Sequence, residues 1–105
     1  MSSALIKIAE PGQCNPGQML RVKLNRHDIL LANVDGTFYA IDNQCSHEDA
    51  SLYNGALKGD CVECPLHGSL FRLRTGQPEG EPATEPVHTY ALEVRPDGIY
   101  LDLAE

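Results

Sequence analysis

The stretch D-I-L-L-A-N-V-D-G-T-F-Y-A-I-D, Asp28 to Asp42, contains two apolar runs separated by the pair Asp35-Gly36. A two-residue hairpin turn of the favoured type requires positive φ angles at both turn positions, and aspartate followed by glycine tolerates them well. The stretch therefore predicts an antiparallel β-hairpin, with strands Asp28–Val34 and Thr37–Asp42 on either side of the turn.

On both sides of this hairpin, short segments with the pattern of strands are bounded by turn residues such as Pro–Gly pairs. The predicted strands are Ala4–Ala9, Met19–Leu24, Cys61–Cys64, Leu70–Leu73, Tyr90–Arg95 and Ile99–Leu103. Only Glu48–Leu57 could form a short helix. The pattern predicts an all-β fold, an antiparallel sandwich or barrel. The 105 residues suit one domain, 1–105, with the segment Gln44–His88 inserted as a smaller subdomain.

The chain is acidic, with 8 Lys and Arg against 15 Asp and Glu, which gives a formal net charge of -7. An acidic surface is repelled by phosphate backbones and anionic lipids, so the composition argues against nucleic acid and membrane as partners. The charge is compatible instead with electrostatic steering towards a basic patch on another protein.

The N-terminal segment M-S-S-A-L-I-K-I-A-E does not have the charged n-region and long apolar run that a signal peptide needs. No apolar run in the sequence approaches the length of a membrane span. The expected location is therefore the cytoplasm. Cysteine spacing in that compartment indicates metal binding or catalysis more often than disulfides.

Two stretches of the predicted subdomain combine a cysteine and a histidine in the same order, Cys45-Ser-His47 and Cys64-Pro-Leu-His67. Thiolate and imidazole are good ligands for borderline-soft metals, and two such loops could hold one inorganic centre between them. A Cys₂His₂ zinc site uses the same residue types, and Cys61 forms a C-x-x-C pair with Cys64. Zinc ligands usually group differently, as C-x-x-C and H-x₃₋₅-H. A catalytic Cys–His nucleophile pair would leave the second stretch unexplained.

The stretches C-S-H and C-P-L-H-G-S resemble the Rieske motif, C-x-H followed after 15–17 residues by C-x-x-H-G. The resemblance extends to R-L-R-T-G-Q, Arg72 to Gln77, and to the proline-rich loop Gly80–Pro86, which in this family covers the cluster. The sequence most resembles the small Rieske ferredoxins that supply electrons to bacterial ring-hydroxylating dioxygenases. The fold implied is a Rieske-type antiparallel β-sandwich or barrel with an inserted cluster-binding subdomain.

The resemblance implies one [2Fe–2S] cluster as cofactor. The implied metal ligands and cofactor-binding residues are Cys45, His47, Cys64 and His67. The two cysteines would bind one iron and the two histidines the other. Because neutral imidazoles replace two thiolates, such clusters are reduced more easily, at roughly -150 to +300 mV against about -400 mV for all-cysteine clusters.

High-potential Rieske proteins carry an additional disulfide between the two loops, and the positions that match its cysteines are Ala50 and Leu66. The bridge is therefore absent, and the resemblance implies a low-potential ferredoxin near about -150 mV. In high-potential relatives the serine that matches Ser69 donates a hydrogen bond to a bridging sulfide. Here its hydroxyl could do the same or could close the turn.

The function implied is one-electron transfer from an NAD(P)H-dependent flavoprotein reductase to a terminal oxygenase in aromatic hydrocarbon catabolism. The chain would be an electron-transfer component and not itself an enzyme, and we expect a monomer. Two alternatives stay open: the small subunit of a nitrite-reductase-like complex, and a Rieske ferredoxin of another pathway such as iron–sulfur assembly.

The resemblance implies that the partner docks over the two histidines, where electrons would leave. The side chains expected around that tip are apolar or acidic: Leu52, Leu66, Glu48, Asp49, Asp60 and Glu63. The resemblance gives no cluster role to four other candidates: Cys14, Cys61, His27 and His88. We expect Cys61 to pack as a core residue and the two histidines to have ordinary surface roles.

Overall fold

A computed structural model of the protein describes residues 5–46, 49–66, 68–79 and 83–103. Within these residues the chain forms nine strands and one short 3-10 helix. The strands are β1 Leu5–Ala9, β2 Met19–Leu24, β3 His27–Val34, β4 Thr37–Asp42, β5 Ala56–Lys58, β6 Cys61–Glu63, β7 Leu70–Arg72, β8 Thr89–Arg95 and β9 Gly98–Asp102. The 3-10 helix is Leu52–Asn54. The prediction of an all-β fold is confirmed.

Six strands form the large antiparallel sheet, in the order β1-β9-β8-β4-β3-β2, which curls into a nearly closed barrel. The hairpin β3–β4 lies between β8 and β2 in this sheet, with Val34 paired to Thr37 across a two-residue turn. Asp35 and Gly36 have φ angles of 53° and 92°, the positive values that this turn requires. The hairpin predicted from the sequence is therefore confirmed.

Strands β5, β6 and β7 form a separate three-stranded antiparallel sheet within the segment 44–88. Strand β5 was not among the predicted strands, and its first two residues fall in Glu48–Leu57, the one stretch that could form a short helix by its sequence. In the described part of that stretch, residues 49–57, a single 3-10 turn forms, and the chain then pairs Ala56 with Glu63 of β6. Gly55 makes this pairing possible, since a Cβ atom at that position would lie 1.8 Å from the carbonyl oxygen of Glu63.

The core beneath the small sheet joins it to the large one. One cluster of buried side chains combines Leu30 and Ile41 of the large sheet with Val62 and Phe71 of the small sheet. The same cluster contains Cys45, Leu52, Cys64, Leu73, Ala83 and Val87. Apolar burial of this kind is the main force that fixes the relative position of two sheets. Both predicted thiol ligands are thus placed at the junction between the sheets.

A search of the described residues for a helix that is long and apolar enough to cross a membrane found none.

Candidate metal centre

The two Cys/His stretches form loops that are closed in the same way. In the first, the backbone N–H of Cys45 donates to the carbonyl oxygen of Ala50 at 3.0 Å. In the second, the backbone N–H of Cys64 donates to the carbonyl oxygen of Ser69 at 2.7 Å. Each cysteine therefore begins a loop that returns to it five residues later. We call residues 45–50 the first loop and residues 64–69 the second loop.

Both thiols are buried in the same part of the core. Cys45 is 3% exposed and Cys64 is 1% exposed, and the two belong to one cluster of buried side chains. The structure thus brings together two cysteines that are 19 residues apart in the sequence. The other two predicted ligands, His47 and His67, lie outside the described residues.

Ser69 provides a test of whether a cluster fits this site. Its side chain is fully buried, and among the described residues its Oγ atom has no hydrogen-bond partner. Buried hydroxyl groups are nearly always satisfied, so an unpaired one requires an acceptor from another source. The sulfide atoms of an iron–sulfur cluster are such acceptors, whereas a four-coordinate zinc ion contributes no acceptor atom. The donor set therefore fits an iron–sulfur cluster.

The segment 83–87, which we call the lid, is the described part of the proline-rich region; Gly80–Pro82 of the predicted cover lie outside the described residues. Ala83 and Val87 are buried in the cluster that holds the two cysteines. The Ser46 hydroxyl donates to the carbonyl oxygen of Glu85 at 2.5 Å, which joins the lid to the first loop.

The other end of the lid is held by Gly76 of the R-L-R-T-G-Q segment. The Val87 N–H donates to the Gly76 carbonyl oxygen at 2.9 Å. A Cβ atom on Gly76 would lie 2.1 Å from the Val87 carbonyl oxygen, and its φ of +77° is one that glycine adopts at no steric cost. The lid can therefore approach residue 76 this closely only because glycine has no side chain. The sequence analysis did not predict this contact.

Two of the four acidic residues expected near the tip are already paired with cations. Asp60 accepts from Arg72 at 3.1 Å, and Glu63 lies 3.9 Å from Lys58. Arg72 also bonds Glu79 at 3.0 Å, which ties the small sheet to the chain just before the lid. Asp49 accepts only a neutral hydrogen bond, from the Gln44 amide at 3.2 Å, among the contacts of the described residues. Glu48 lies outside those residues.

The two predicted apolar contact residues differ in exposure. Leu66 of the second loop is 47% exposed and is available to a partner. Leu52 is fully buried, so the expectation that it flanks a docking surface is wrong. The 3-10 helix that begins at Leu52 turns this side chain into the core.

Cys14 and Cys61 lie outside the two loops. Cys14 packs in a different core cluster, with Leu31 and Ile99. Cys61 is buried on β6, as predicted, with its Sγ 3.7 Å from a carboxylate oxygen of Asp60. Burial raises the pKa of both thiols, and the Asp60 charge raises the pKa of Cys61 further. All four cysteines lie in the described residues, and none is in a disulfide.

His27 and His88, for which the sequence suggested no partner, both contact Tyr90. The Nδ1 atom of His27 is 3.3 Å from the Tyr90 hydroxyl oxygen, and the His88 ring packs edge-on against the tyrosine at 4.6 Å. The Tyr90 hydroxyl donates to Asp42 at 2.6 Å. This group packs where β4 meets β8, so the expectation of plain surface roles is incomplete.

Two buried thiols in matched loops of a small β fold, and a buried Ser69 hydroxyl that has no partner among the described residues, are the features expected of an iron–sulfur protein. The sequence profile of the Rieske [2Fe-2S] domain matches residues 4–91. The chain is 41% identical over 100 residues to the ferredoxin component of biphenyl 2,3-dioxygenase from Rhodococcus jostii (strain RHA1), which covers 95% of this chain and 94% of the relative.

Two further proteins show the same likeness. The 3-phenylpropionate/cinnamic acid dioxygenase ferredoxin subunit of Shigella flexneri serotype 5b (strain 8401) is 46% identical over 90 residues, covering 85% of this chain and 84% of the relative. A chain in the complex of reduced oxygenase and oxidized ferredoxin in carbazole 1,9a-dioxygenase matches with a TM-score of 0.87. Its sequence identity is 33%, over 93% of this chain and 92% of that chain.

The chain therefore belongs to the Rieske [2Fe-2S] family, and its cofactor is a Rieske-type [2Fe–2S] cluster. The resemblance to dioxygenase ferredoxins is confirmed. Such ferredoxins are electron carriers of oxygenase systems and not catalytic enzymes, which confirms the expected class of function. The zinc and nucleophile alternatives are set aside.

Proposed function

We propose that this protein takes electrons from an NAD(P)H-dependent flavoprotein reductase and passes them singly to a terminal oxygenase that hydroxylates aromatic rings. The observation that carries the proposal is the pair of matched loops, whose cysteines are both buried in one core cluster. The identity of 41–46% with dioxygenase ferredoxins supports this pathway over the nitrite-reductase-like alternative.

The proposed ligands are Cys45 and Cys64 for one iron and His47 and His67 for the other. When bound, the cluster accepts and releases one electron. Burial of the two thiols keeps water from their sulfur atoms, and the lid packs Ala83 and Val87 against the same core. Ala50 and Leu66 stand where high-potential relatives have their disulfide, which supports a low potential.

The remaining expectations are part of the same proposal. The chain acts as one domain, with the cluster-binding part between Gln44 and His88, and it works as a monomer. Its location is the cytoplasm, where a nicotinamide-dependent reductase has its substrate. The acidic net charge of -7 supports docking to a basic surface of the partner.

The function is tested by spectroscopy and electron transfer with protein purified without oxygen. We expect visible absorption and an EPR signal of the reduced protein that are typical of a Rieske cluster. With a flavoprotein reductase and NADH, the protein should be reduced and should in turn reduce a ring-hydroxylating oxygenase. A colourless protein that contains one zinc ion per chain would contradict the proposal.

Leu66 should contribute to docking because it is a large apolar side chain exposed beside a proposed ligand. The minority of interface side chains whose truncation costs more than about 1 kcal/mol of binding free energy cluster near the centre of the interface, and about 1.4 kcal/mol is a factor of ten. We expect Leu66→Ala to lower the second-order rate of electron transfer to the oxygenase about tenfold, measured by stopped-flow absorption.

The matched control is Val94→Ala on β8, which removes an apolar side chain that is 58% exposed but lies outside both loops. Its transfer rate should equal that of the wild type, and the reduction potential of both variants should stay unchanged. Equal rates for the two variants would show that Leu66 is not part of the docking surface.

Ser69 should tune the reduction potential through its hydroxyl, which has no hydrogen-bond partner among the described residues. A hydrogen bond to a cluster sulfide withdraws negative charge and favours the reduced state, and a net hydrogen bond is worth about 1 kcal/mol. We expect Ser69→Ala to lower the potential by up to about 40 mV, since 59 mV corresponds to a factor of ten for one electron. If Ser69→Ala left the reduction potential unchanged and raised the free energy of unfolding, the Ser69 hydroxyl would have no hydrogen-bond partner in the cluster-containing protein.

A further inference from the structure

The two ligand loops are closed alike but are supported differently. The second loop stands on a regular ladder between β6 and β7, in which three residue pairs lead up to it: Cys61 with Arg72, Val62 with Phe71 and Glu63 with Leu70. The first loop stands on a single isolated pair, Gln44 with Ser51. One pair provides few backbone hydrogen bonds, so the first loop requires another source of rigidity.

That source is the buried side chain of Asn43, which is 1% exposed and immediately precedes the isolated pair. Its Nδ2 atom donates to the Ser51 hydroxyl oxygen at 2.8 Å, and its Oδ1 atom accepts from the Tyr53 N–H at 2.8 Å. Its own carbonyl oxygen accepts from the Leu52 N–H at 2.7 Å. One residue at the entry of the first loop thus bonds three consecutive residues at its exit.

Asp28 on β3 anchors the same asparagine to the large sheet. The Asn43 N–H donates to the Asp28 carbonyl oxygen at 2.8 Å, and Asn43 Nδ2 lies 3.3 Å from the Asp28 carboxylate. An ionised carboxylate only accepts, so it selects the orientation in which the NH₂ group of the amide faces it. Arg21 holds that carboxylate through two hydrogen bonds, at 2.9 and 2.7 Å. The Arg21 guanidinium also keeps the pKa of Asp28 below its usual range.

We propose that Asn43 is the positioning residue of the first ligand loop, replacing with one side chain the strand ladder that supports the second. It holds Cys45 in place by fixing the loop's entry against its exit and both against the large sheet. This inference rests on the proposed assignment of Cys45 as a cluster ligand. The bonds of Asn43 given above go to Asp28 and to residues 51–53, so it acts on Cys45 through the loop.

The test replaces Asn43 by leucine, which has a similar size but no hydrogen-bonding groups. The matched control is Asn33→Leu. Asn33 is also a buried asparagine, 3% exposed, whose side chain bonds the Cys14 carbonyl oxygen at 2.9 Å and the Gly36 N–H at 2.7 Å. Asn43→Leu removes the side-chain bonds to Ser51, Tyr53 and Asp28, and Asn33→Leu removes a comparable buried set, but only Asn43 lies beside a ligand loop.

Two quantities are measured on each purified holoprotein. Hydrogen exchange with mass spectrometry reports the amides of residues 44–54 and, for comparison, residues 61–72. Release of the cluster to a chelator is followed by loss of visible absorption. For Asn43→Leu we expect exchange in 44–54 and cluster release to be at least about tenfold faster than in wild type, with 61–72 unchanged. Ten-fold corresponds to loss of about one well-made hydrogen-bonded contact.

Asn33→Leu should leave both quantities near their wild-type values, even where it lowers global stability as much. Equal effects of the two substitutions, or equal acceleration of both segments by Asn43→Leu, would overturn the positioning role. If Asn43→Leu does not fold, Ser51→Ala is used instead, because it removes one hydrogen-bond acceptor of Asn43. It should give a smaller increase in the exchange rate, again confined to residues 44–54. Absence of that selective increase would overturn the positioning role.

The exchange measurement separates this inference from the proposed function. It reports how firmly the first loop is held, whether or not iron is bound. A wild-type protein with no Rieske spectrum would overturn the ligand assignment, while selective exchange would still support Asn43 as the loop's support. A normal spectrum with unselective exchange would overturn the role of Asn43 alone.

Discussion

Replacement of Cys45 or Cys64 by serine is expected to abolish the visible absorption and the EPR signal of the cluster. A serine hydroxyl is a harder and much less acidic ligand than a thiol, and iron–sulfur clusters are held by thiolates. Each of these positions is buried at the junction of the two sheets, where no other described cysteine lies. The measurements are iron content, absorption and EPR of the purified variants.

The matched control is Cys61→Ser, three residues from Cys64 and likewise buried. It should keep iron and colour, as should Cys14→Ser, because these thiols lie outside the matched loops. The proposed histidine ligands predict the same loss for His47→Ala and His67→Ala. If Cys61→Ser lost the metal while Cys45→Ser kept it, the centre would be built on the C-x-x-C pair instead.

The second large effect is expected for Gly76→Ala, which should lower the free energy of unfolding by about 2–5 kcal/mol. A side chain in the left-handed conformation costs roughly 1–2 kcal/mol. The added Cβ atom would also lie 2.1 Å from the Val87 carbonyl oxygen, and overpacking of this kind costs about 1–3 kcal/mol. Thermal unfolding should show a midpoint lower by about 10 °C or more.

Gly59→Ala separates the two contributions. Gly59 also has a positive φ, +61°, but apart from Gly59 and its two chain neighbours no heavy atom of the described residues lies within 4 Å of the position its Cβ would occupy. This control should therefore show only the conformational cost, about 1–2 kcal/mol. The difference in the free energy of unfolding between Gly76→Ala and Gly59→Ala then measures the cost of the steric contact between the added Cβ atom and Val87. Equal losses for the two variants would mean that the lid can move away from Gly76 without cost.

Local pattern was sufficient to predict much of the fold. Strands such as Met19–Leu24 and Thr37–Asp42 are found with the predicted bounds, because alternating side chains face core and solvent in a strand of any fold. The turn at Asp35-Gly36 was predictable because positive φ is a property of the two residues themselves. Strand β5 was not predictable, since three residues with Gly55 before them pair only because β6 lies beside them.

The sequence by itself indicated the class of protein, because the two Cys/His stretches carry ligand chemistry and their spacing resembles the Rieske motif. Only the tertiary structure decided that Cys45 and Cys64 share one core cluster and that Asp60 is neutralised by Arg72. It also decided that Leu52 is buried and that Asn43 bonds both ends of the first loop. These contacts join residues that are not neighbours in the sequence and that meet because the two sheets bury apolar surface against each other. Apolar burial is not directional, so no short sequence pattern indicates which residues it will bring together.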